Sequence, residues 1–260
     1  MRLFVFLLVC MSLLLLVQSA IAQKTPSDTE RDAFIHNEIE KQRARLSSSN
    51  MEERWDAVIQ LRFLNAPESS RIAAIGLNDP VDIIRASAVY SILALPSDEA
   101  ASLLLPLLND KSEFVRKETA YALGETRSIT AAPKLAAIVS SKKEHLSVRC
   151  ASVVSLGLIG EASSASTLIQ LLQNKKENNE FLIRATARSL GQIRSREAVP
   201  LLISLLSNDK TNEDIRREAA RALGLIGDSS AIPYLQSAFH SNDPYLSSIA
   251  EEALKGFKSN

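Results

Sequence analysis

The most regular charged residues in the chain are five arginines, Arg54, Arg85, Arg116, Arg149 and Arg216. A guanidinium grips a carboxylate or phosphate through two parallel hydrogen bonds, so a stack of arginines would make an anion-binding ladder. The acids nearby favour a structural role instead. Asp79 lies six residues before Arg85, and Asp110 lies six before Arg116. Arginines buried at a boundary between units need acceptors, and carboxylates at that boundary supply them. The other reactive types do not assemble. His36, His145 and His240 are separated by about one hundred residues and make no metal set. Cys150 sits at a helix position beside Arg149 and reads as a small half-buried thiol rather than a redox group. Phosphate loops, nucleophile elbows and paired-cysteine metal motifs are missing from the sequence. No catalytic residue, metal or cofactor is expected, and the chain reads as non-enzymatic.

The elements that would hold the arginines are copies of one unit. Val115 to Gly124, Val148 to Gly157 and Ile215 to Gly224 are versions of a single ten-residue pattern. Its penultimate position recurs as Leu61, Ile92, Leu123, Leu156, Leu190, Leu223 and Leu254, in steps of 31, 31, 33, 34, 33 and 31. A period of this length marks a solenoid. The first part of each unit has apolar residues at helical spacing. A second helix starts about eight residues past the anchor, where Pro133, Pro200 and Pro233 suit the first turn because a missing N–H costs nothing there. Its apolar face follows as Leu135, Ile138 and Val139, or Leu202, Leu205 and Leu206. Pro106 lies deep in its second helix and should kink it. Gly124, Gly157, Gly191 and Gly224 each follow an anchor; a recurrent helical glycine needs a packing reason, and close approach of the two helices within a unit is expected to supply it. Gly160 and Gly227 suit the left-handed position that ends a helix.

The hydrophobic-Arg-x-x-Ala start, as in Ile215 to Ala219, the Leu-Gly end and the Ala-x-Pro-x-Leu second helix together resemble the HEAT repeat, in the short form also seen in phycobilisome-lyase-like proteins. The resemblance covers residues 49–260. It implies an all-α fold: an α-solenoid, or alpha-alpha superhelix, of about seven two-helix repeats, with Asp and Arg positions bridging neighbouring units. Some units depart from the pattern. Leu182 and Ile183 stand where Val-Arg is expected, with Arg184 displaced by one, and Ser247 replaces the arginine of the last unit. The lyase-like relatives handle bilin chromophores, but no residue set here carries that activity over. Deoxyhypusine hydroxylase, a HEAT-like enzyme, uses His-Glu pairs, and this chain has only the reversed Glu144-His145.

Residues 1–22 read as a signal peptide. Arg2 is followed by an apolar run from Leu3 to Val17 and by Ala20-Ile21-Ala22, with Gln23 as the first mature residue. The same stretch is just long enough to act as an uncleaved anchor, the one route by which a membrane would be met. Either outcome places the repeats outside the cytoplasm, in the periplasm of a bacterium or beyond the cell. Cys10 sits mid-run after Val9 and is not a lipidation site. Only Cys150 then remains, so an internal disulfide is excluded. The mature chain has 29 basic and 30 acidic residues, a net of −1, which gives no basic footprint for nucleic acid. Residues 23–48 form a polar lead-in. A capping box at 27–30 should start a helix running to about Arg45, with Phe34, Ile35 and Ile39 on one face as an N-terminal cap. Asn50 and Glu53 are expected to cap the helix after it.

A HEAT-type array implies a concave side lined by second helices, and solenoids bind along such surfaces. The exposed residues there include Glu99, Lys134, Gln170, Arg196, Ser204, Tyr234 and Gln236. Lys134, Gln170, Arg196, Tyr234 and Gln236 are the candidate contacts to a protein or peptide partner. Tyr234 is the one clear aromatic and the best anchor, since tyrosine buries area yet keeps a polar tip. The structural ladder is Asp79, Arg85, Asp110, Arg116, Arg149 and Arg216. The charge runs Ser140-Ser141-Lys142-Lys143-Glu144 and Lys175-Lys176-Glu177-Asn178-Asn179-Glu180 fall between units and read as solvated loops, although small insertions in repeat arrays often serve binding.

Overall fold

Apolar residues at helical spacing, broken every ten to fifteen residues by a turn, produce fourteen α-helices and no strand among the residues described. In the computed structural model of the protein these are residues 28–258. The proposed signal segment 1–22 and the side chains of the capping box at 27–30 lie outside them. The chain divides into two compact units, residues 1–41 and 42–260. Helix α1 (Asp28–Arg45) runs through the division. Of its three large apolar residues, Ile39 is buried, Ile35 half-buried and Phe34 exposed.

The second unit alternates two kinds of helix. The first helices of successive repeats are α2 (Met51–Leu64), α4 (Asp82–Ser91), α6 (Glu113–Thr126), α8 (Leu146–Ile159), α10 (Glu180–Ile193), α12 (Glu213–Ile226) and α14 (Pro244–Lys258). The second helices are α3 (Pro67–Ala73), α5 (Ser97–Leu104), α7 (Ala132–Ser140), α9 (Ala165–Gln173), α11 (Val199–Ser207) and α13 (Ile232–Phe239). Each first helix packs on the first helix of the next repeat and, from α4 onward, on the second helix of the preceding repeat or its 3-10 extension; α2 alone packs closely on the second helix of its own repeat. This nearest-neighbour pattern defines a solenoid. The anchors from Leu61 to Leu223 have at most 0% of their surface exposed and form the core with Leu135, Leu168 and Leu202. Core burial is thus repeated unit by unit rather than gathered at one centre.

Local signals shape the helix ends. Pro133, Pro200 and Pro233 all sit in the first turn of their second helix, each preceded by a short 3-10 turn. Pro106 stands where α5 tightens into the 3-10 segment Leu105–Asn109. The same change occurs after α3, over Ala74–Asn78, where there is no proline, so Pro106 accommodates the change without being its sole cause. Asn50 accepts the Glu52 amide at 2.8 Å. Glu53 does not complete that cap; it accepts the Ser48 hydroxyl at 2.5 Å instead. Gly160 and Gly227 end their helices at φ 73° and 72°. Arg127 and Arg194 hold the equivalent left-handed position at φ 54° and 58°, a conformation costing a side-chain-bearing residue about 1–2 kcal/mol.

The recurrent glycines have a different neighbour from the one expected. A methyl group added at Gly124 would strike Ser155, at Gly157 Ser189, at Gly191 Ala222, and at Gly224 Ala253. All four neighbours belong to the first helix of the next repeat. The close approach is therefore between repeats, not between the two helices of one repeat. The matching sequence signal is the small residue before each anchor from Ile92 onward: Ser91, Ala122, Ser155, Ser189, Ala222 and Ala253. Where it is serine, its hydroxyl crosses the contact. Ser91, Ser155 and Ser189 donate to the carbonyls of Val58, Ala120 and Val153 at 3.2, 2.7 and 2.8 Å.

Gly191→Ala places its methyl carbon 2.6 Å from the Ala222 Cα, so α10 and α12 must separate. A loss of about 1–3 kcal/mol is expected in urea unfolding, as for other overpacked cores. Gly256→Ala meets nothing within 4 Å, so the gain in helix propensity should appear as stabilisation of up to about 1 kcal/mol.

Candidate functional site

The arginine series runs along the boundaries between repeats. Arg54 grips Asp79 with Nε and Nη2 at 2.7 and 3.1 Å, and Arg85 grips Asp110 with both bonds at 2.7 Å. Each carboxylate comes from the turn before the next first helix. The remaining nitrogen, Nη1, points back to its own turn. Arg85 thus donates to the Asp79 carbonyl at 2.7 Å, and Arg116 to the Asp110 carbonyl at 2.8 Å. Asp79 and Asp110 therefore serve two arginines each, one through the side chain and one through the main chain.

Farther along, the acid changes. Arg116 pairs with Glu144 at 2.8 Å and Arg149 with Glu177 at 3.0 Å. These glutamates lie in the two charge runs read from the sequence as solvated loops. That reading holds for the lysines but not for Glu144 and Glu177, which are only 16% and 13% exposed. The repeat is longer at these two points, and the extra methylene of glutamate spans the wider turn.

Arg216 departs from the ladder. Its Nε donates to the Leu206 carbonyl, as the Nε of Arg149 does to Val139, but its carboxylate partner is Asp209 of the turn just before its own helix, at 3.1 Å. The acid of the next repeat, Asp243, is held by the neighbouring Arg217 at 2.9 and 3.1 Å. Arg216 therefore reaches back to the preceding repeat through the Leu206 carbonyl but not forward to the acid of the next repeat, which the competing Arg217 takes. Arg184, displaced by one position, makes only a 3.4 Å contact to Asp214.

Electrostatics follow from this geometry. Burial alone would raise the Asp79 and Asp110 carboxyls. Hydrogen bonds from Arg54 or Arg85, and from the amides of Val81 or Ser112, outweigh it and hold both below the ordinary carboxylate range. Glu144 is held down in the same way by Arg116 and the His145 amide. The Cys150 thiol is pushed up to about 11 by burial, against the opposing charge of Arg149. His145 caps α8 by accepting the Ser147 amide, and its ring lies 2.6 Å from Glu113.

The second-helix face holds open depressions between consecutive second helices. One of 490 Å³ between α3 and α5 includes Asn78, Pro106 and Asn109; one of 610 Å³ between α5 and α7 includes Pro133 and Lys134. A smaller one of 160 Å³ between α7 and α9 includes Thr167 and Gln170, and one of 570 Å³ between α11 and α13 includes Tyr234, Ser237 and His240. Lys134, Gln170 and Tyr234 thus stand in three separate depressions. Arg196 and Gln236 are exposed but line none of them. Glu99 is taken by Arg71 at 2.8 Å. Tyr234 is 42% exposed and is the one aromatic ring besides His240 among the residues lining its depression. The ladder and the face also meet: Asp79, Arg85 and Asp110 border the first depression, Arg149 the third and Arg216 the last.

A stack of two-helix units joined through small residues and arginine–carboxylate pairs defines an α-solenoid of the HEAT type. A profile of HEAT repeats matches residues 69–147 and 175–255, more than half of the chain, and the chain belongs to that family. Among solved structures it is similar to the complex of CpcE and CpcF of phycocyanin lyase from Nostoc sp. PCC7120, with 21% identity, TM-score 0.52, and 92% of this chain and 90% of that one covered. It is also similar to YibA of E. coli, with 18% identity, TM-score 0.51, and 92% and 100% covered. At these identities the likeness is one of fold. No curated protein is similar enough to count as a match.

Asp110→Ala leaves Arg85, 6% exposed, without its carboxylate, and should cost about 3 kcal/mol or more in urea unfolding. The double change Arg85→Met with Asp110→Leu removes both charges and should cost less than the single change. The pH dependence carries its own sign. A carboxyl lowered by folding contributes stability that is complete above its unfolded value of about 4 and is lost as pH falls through the folded value. The stability gap between the wild type and Asp110→Asn should therefore be full at pH 7 and close as pH drops below about 4.

Proposed function

We propose that the protein is an exported, non-enzymatic scaffold that holds a protein or peptide partner along its second-helix face. The observation that carries this reading is the spread of the depressions. Lys134, Gln170 and Tyr234 stand in gaps between different second helices, so a ligand touching all three must extend across several repeats. An extended polypeptide meets that requirement, whereas a small molecule fills one concave site with convergent polar groups. The titratable residues support a non-catalytic role. The ladder carboxylates are occupied by arginines, His145 is a helix cap, and Cys150 is buried with its thiol raised. Export rests on the residue pattern of positions 1–22 alone.

Photo-crosslinking residues placed singly at Gln170 and Tyr234 in the native envelope should trap the same polypeptide. The same residue at Glu125, exposed on first helix α6, should not. Equal adducts from all three positions, or none from Gln170 and Tyr234, would overturn the assignment.

A further inference from the structure

The turns that lead from each second helix into the next first helix lie side by side along one edge of the solenoid. Cross-links at their ends show the alignment. Ser112 donates to Asp82 at 3.0 Å, Ser147 to Glu113 at 2.6 Å, and Asn212 to Glu180 at 2.9 Å, each bond reaching one repeat back. The Arg116–Glu144 and Arg149–Glu177 pairs tie the intervening turns.

This edge sorts its charges by depth. The acids of three consecutive turns, Asp110, Glu144 and Glu177, face inward onto arginines. The lysines of the same turns, Lys111, Lys142, Lys143, Lys175 and Lys176, are all exposed. None of the five forms an ion pair with a carboxylate among the described residues, although the charge of Lys111 acts on its neighbour Asp110; the lysines that pair are Lys41, Lys117 and Lys255. Next to them, in the first turn of each following helix, stand three exposed apolar side chains: Phe114 at 41%, Leu146 at 37% and Phe181 at 49%. Lys117 lies over the Phe114 ring and Arg184 over the Phe181 ring, at 5.2 Å each, adding two more cations to the row. Of these three helix starts, two carry an acid: Glu113 and Glu180 accept from the neutral Ser147 hydroxyl and Asn212 amide, and the five lysines outnumber them.

We infer that this edge docks peripherally on an anionic lipid surface, the lysines meeting lipid phosphates and Phe114, Leu146 and Phe181 entering the headgroup boundary. Lysines and large apolar side chains interleaved on one exposed edge are the combination that such a surface rewards, through charge attraction and apolar burial together. An acidic polypeptide would answer the lysines but leave the three apolar side chains in water. Lys143, Lys175 and Lys176 line none of the second-helix depressions, while Lys111 and Lys142 border the first and the third, so the edge adjoins the proposed partner face without coinciding with it. No described helix is long and apolar enough to cross a membrane, so docking here is through the turns.

Co-sedimentation of the full chain with vesicles tests the inference, using phosphatidylcholine with and without phosphatidylglycerol. Binding should be stronger to the anionic vesicles and fall with added salt. Insertion by the apolar stretch 3–22 would register equally on both vesicle types and in every variant. Replacing Lys142, Lys143, Lys175 and Lys176 together by Gln should weaken the anionic component by up to about 1000-fold. Phe181→Ser should weaken it several-fold, and Lys134→Gln, on the second-helix face, should leave it unchanged. Circular dichroism of each variant establishes that it is folded. Equal binding to both vesicle types, or no change in the folded lysine variant, overturns the inference. Binding to soluble poly-glutamate without preference for anionic vesicles overturns it as well and assigns the edge to an acidic polypeptide. Failure of the crosslinking at Gln170 and Tyr234 would leave this result untouched.

Discussion

Everything in the solenoid depends on how closely the first helices of neighbouring repeats approach. At four successive contacts the glycine after one anchor lies against the alanine or serine before the next, with no room for a methyl group between them. This contact brings the buried anchors into one continuous core, because a single two-helix unit cannot cover its own apolar face. It also brings main-chain carbonyls within reach of serine hydroxyls, as at Ser155 and Ser189. Packing and polar satisfaction thus come from the same small residues.

The arginine–carboxylate pairs are a second consequence of that spacing. With the first helices fixed side by side, each helix start lies one repeat-width from the next turn, within reach of an arginine side chain. The pair then has to be complete, since a buried guanidinium without its carboxylate is far costlier than no charge at all. The exchange at the last boundary shows how local the arrangement is. Arg217 takes Asp243, Arg216 turns back to Asp209, and the depression of 570 Å³ opens at that point. Ladder and candidate face are therefore adjoining parts of one boundary rather than alternatives.

Charge sorting links the boundary to the outer edge. An overall charge close to zero conceals a chain in which ladder acids face inward and turn lysines face outward. Composition averages over that arrangement. A surface with a sign of its own appears only once the acids of the same turns are neutralised by arginines.

The helices, their order and the repeat period were legible from residue types, because apolar spacing, first-turn prolines and recurrent glycines are local signals. So was the need for an acid near each ladder arginine. Which acid was not legible. Asp79 and Asp110 stand out six residues before Arg85 and Arg116, yet each gives its carboxylate to the arginine one repeat back; Glu144 and Glu177 lie in lysine-rich turns that look solvated, and the exchange at Arg216 depends on a competitor one residue away. The glycines showed a close contact without showing which helix made it, since the partner is about thirty residues distant in sequence. The candidate face divided in the same manner: Lys134, Gln170 and Tyr234 stand in gaps between helices, while Arg196 and Gln236 do not, although all five are exposed. By itself, then, the sequence determined that the chain forms a HEAT-type array of helices, because helix formation and its punctuation depend on neighbours a few residues apart. Only the tertiary structure decided which charges face each other across the repeats, because that depends on where whole helices stop when their small residues touch.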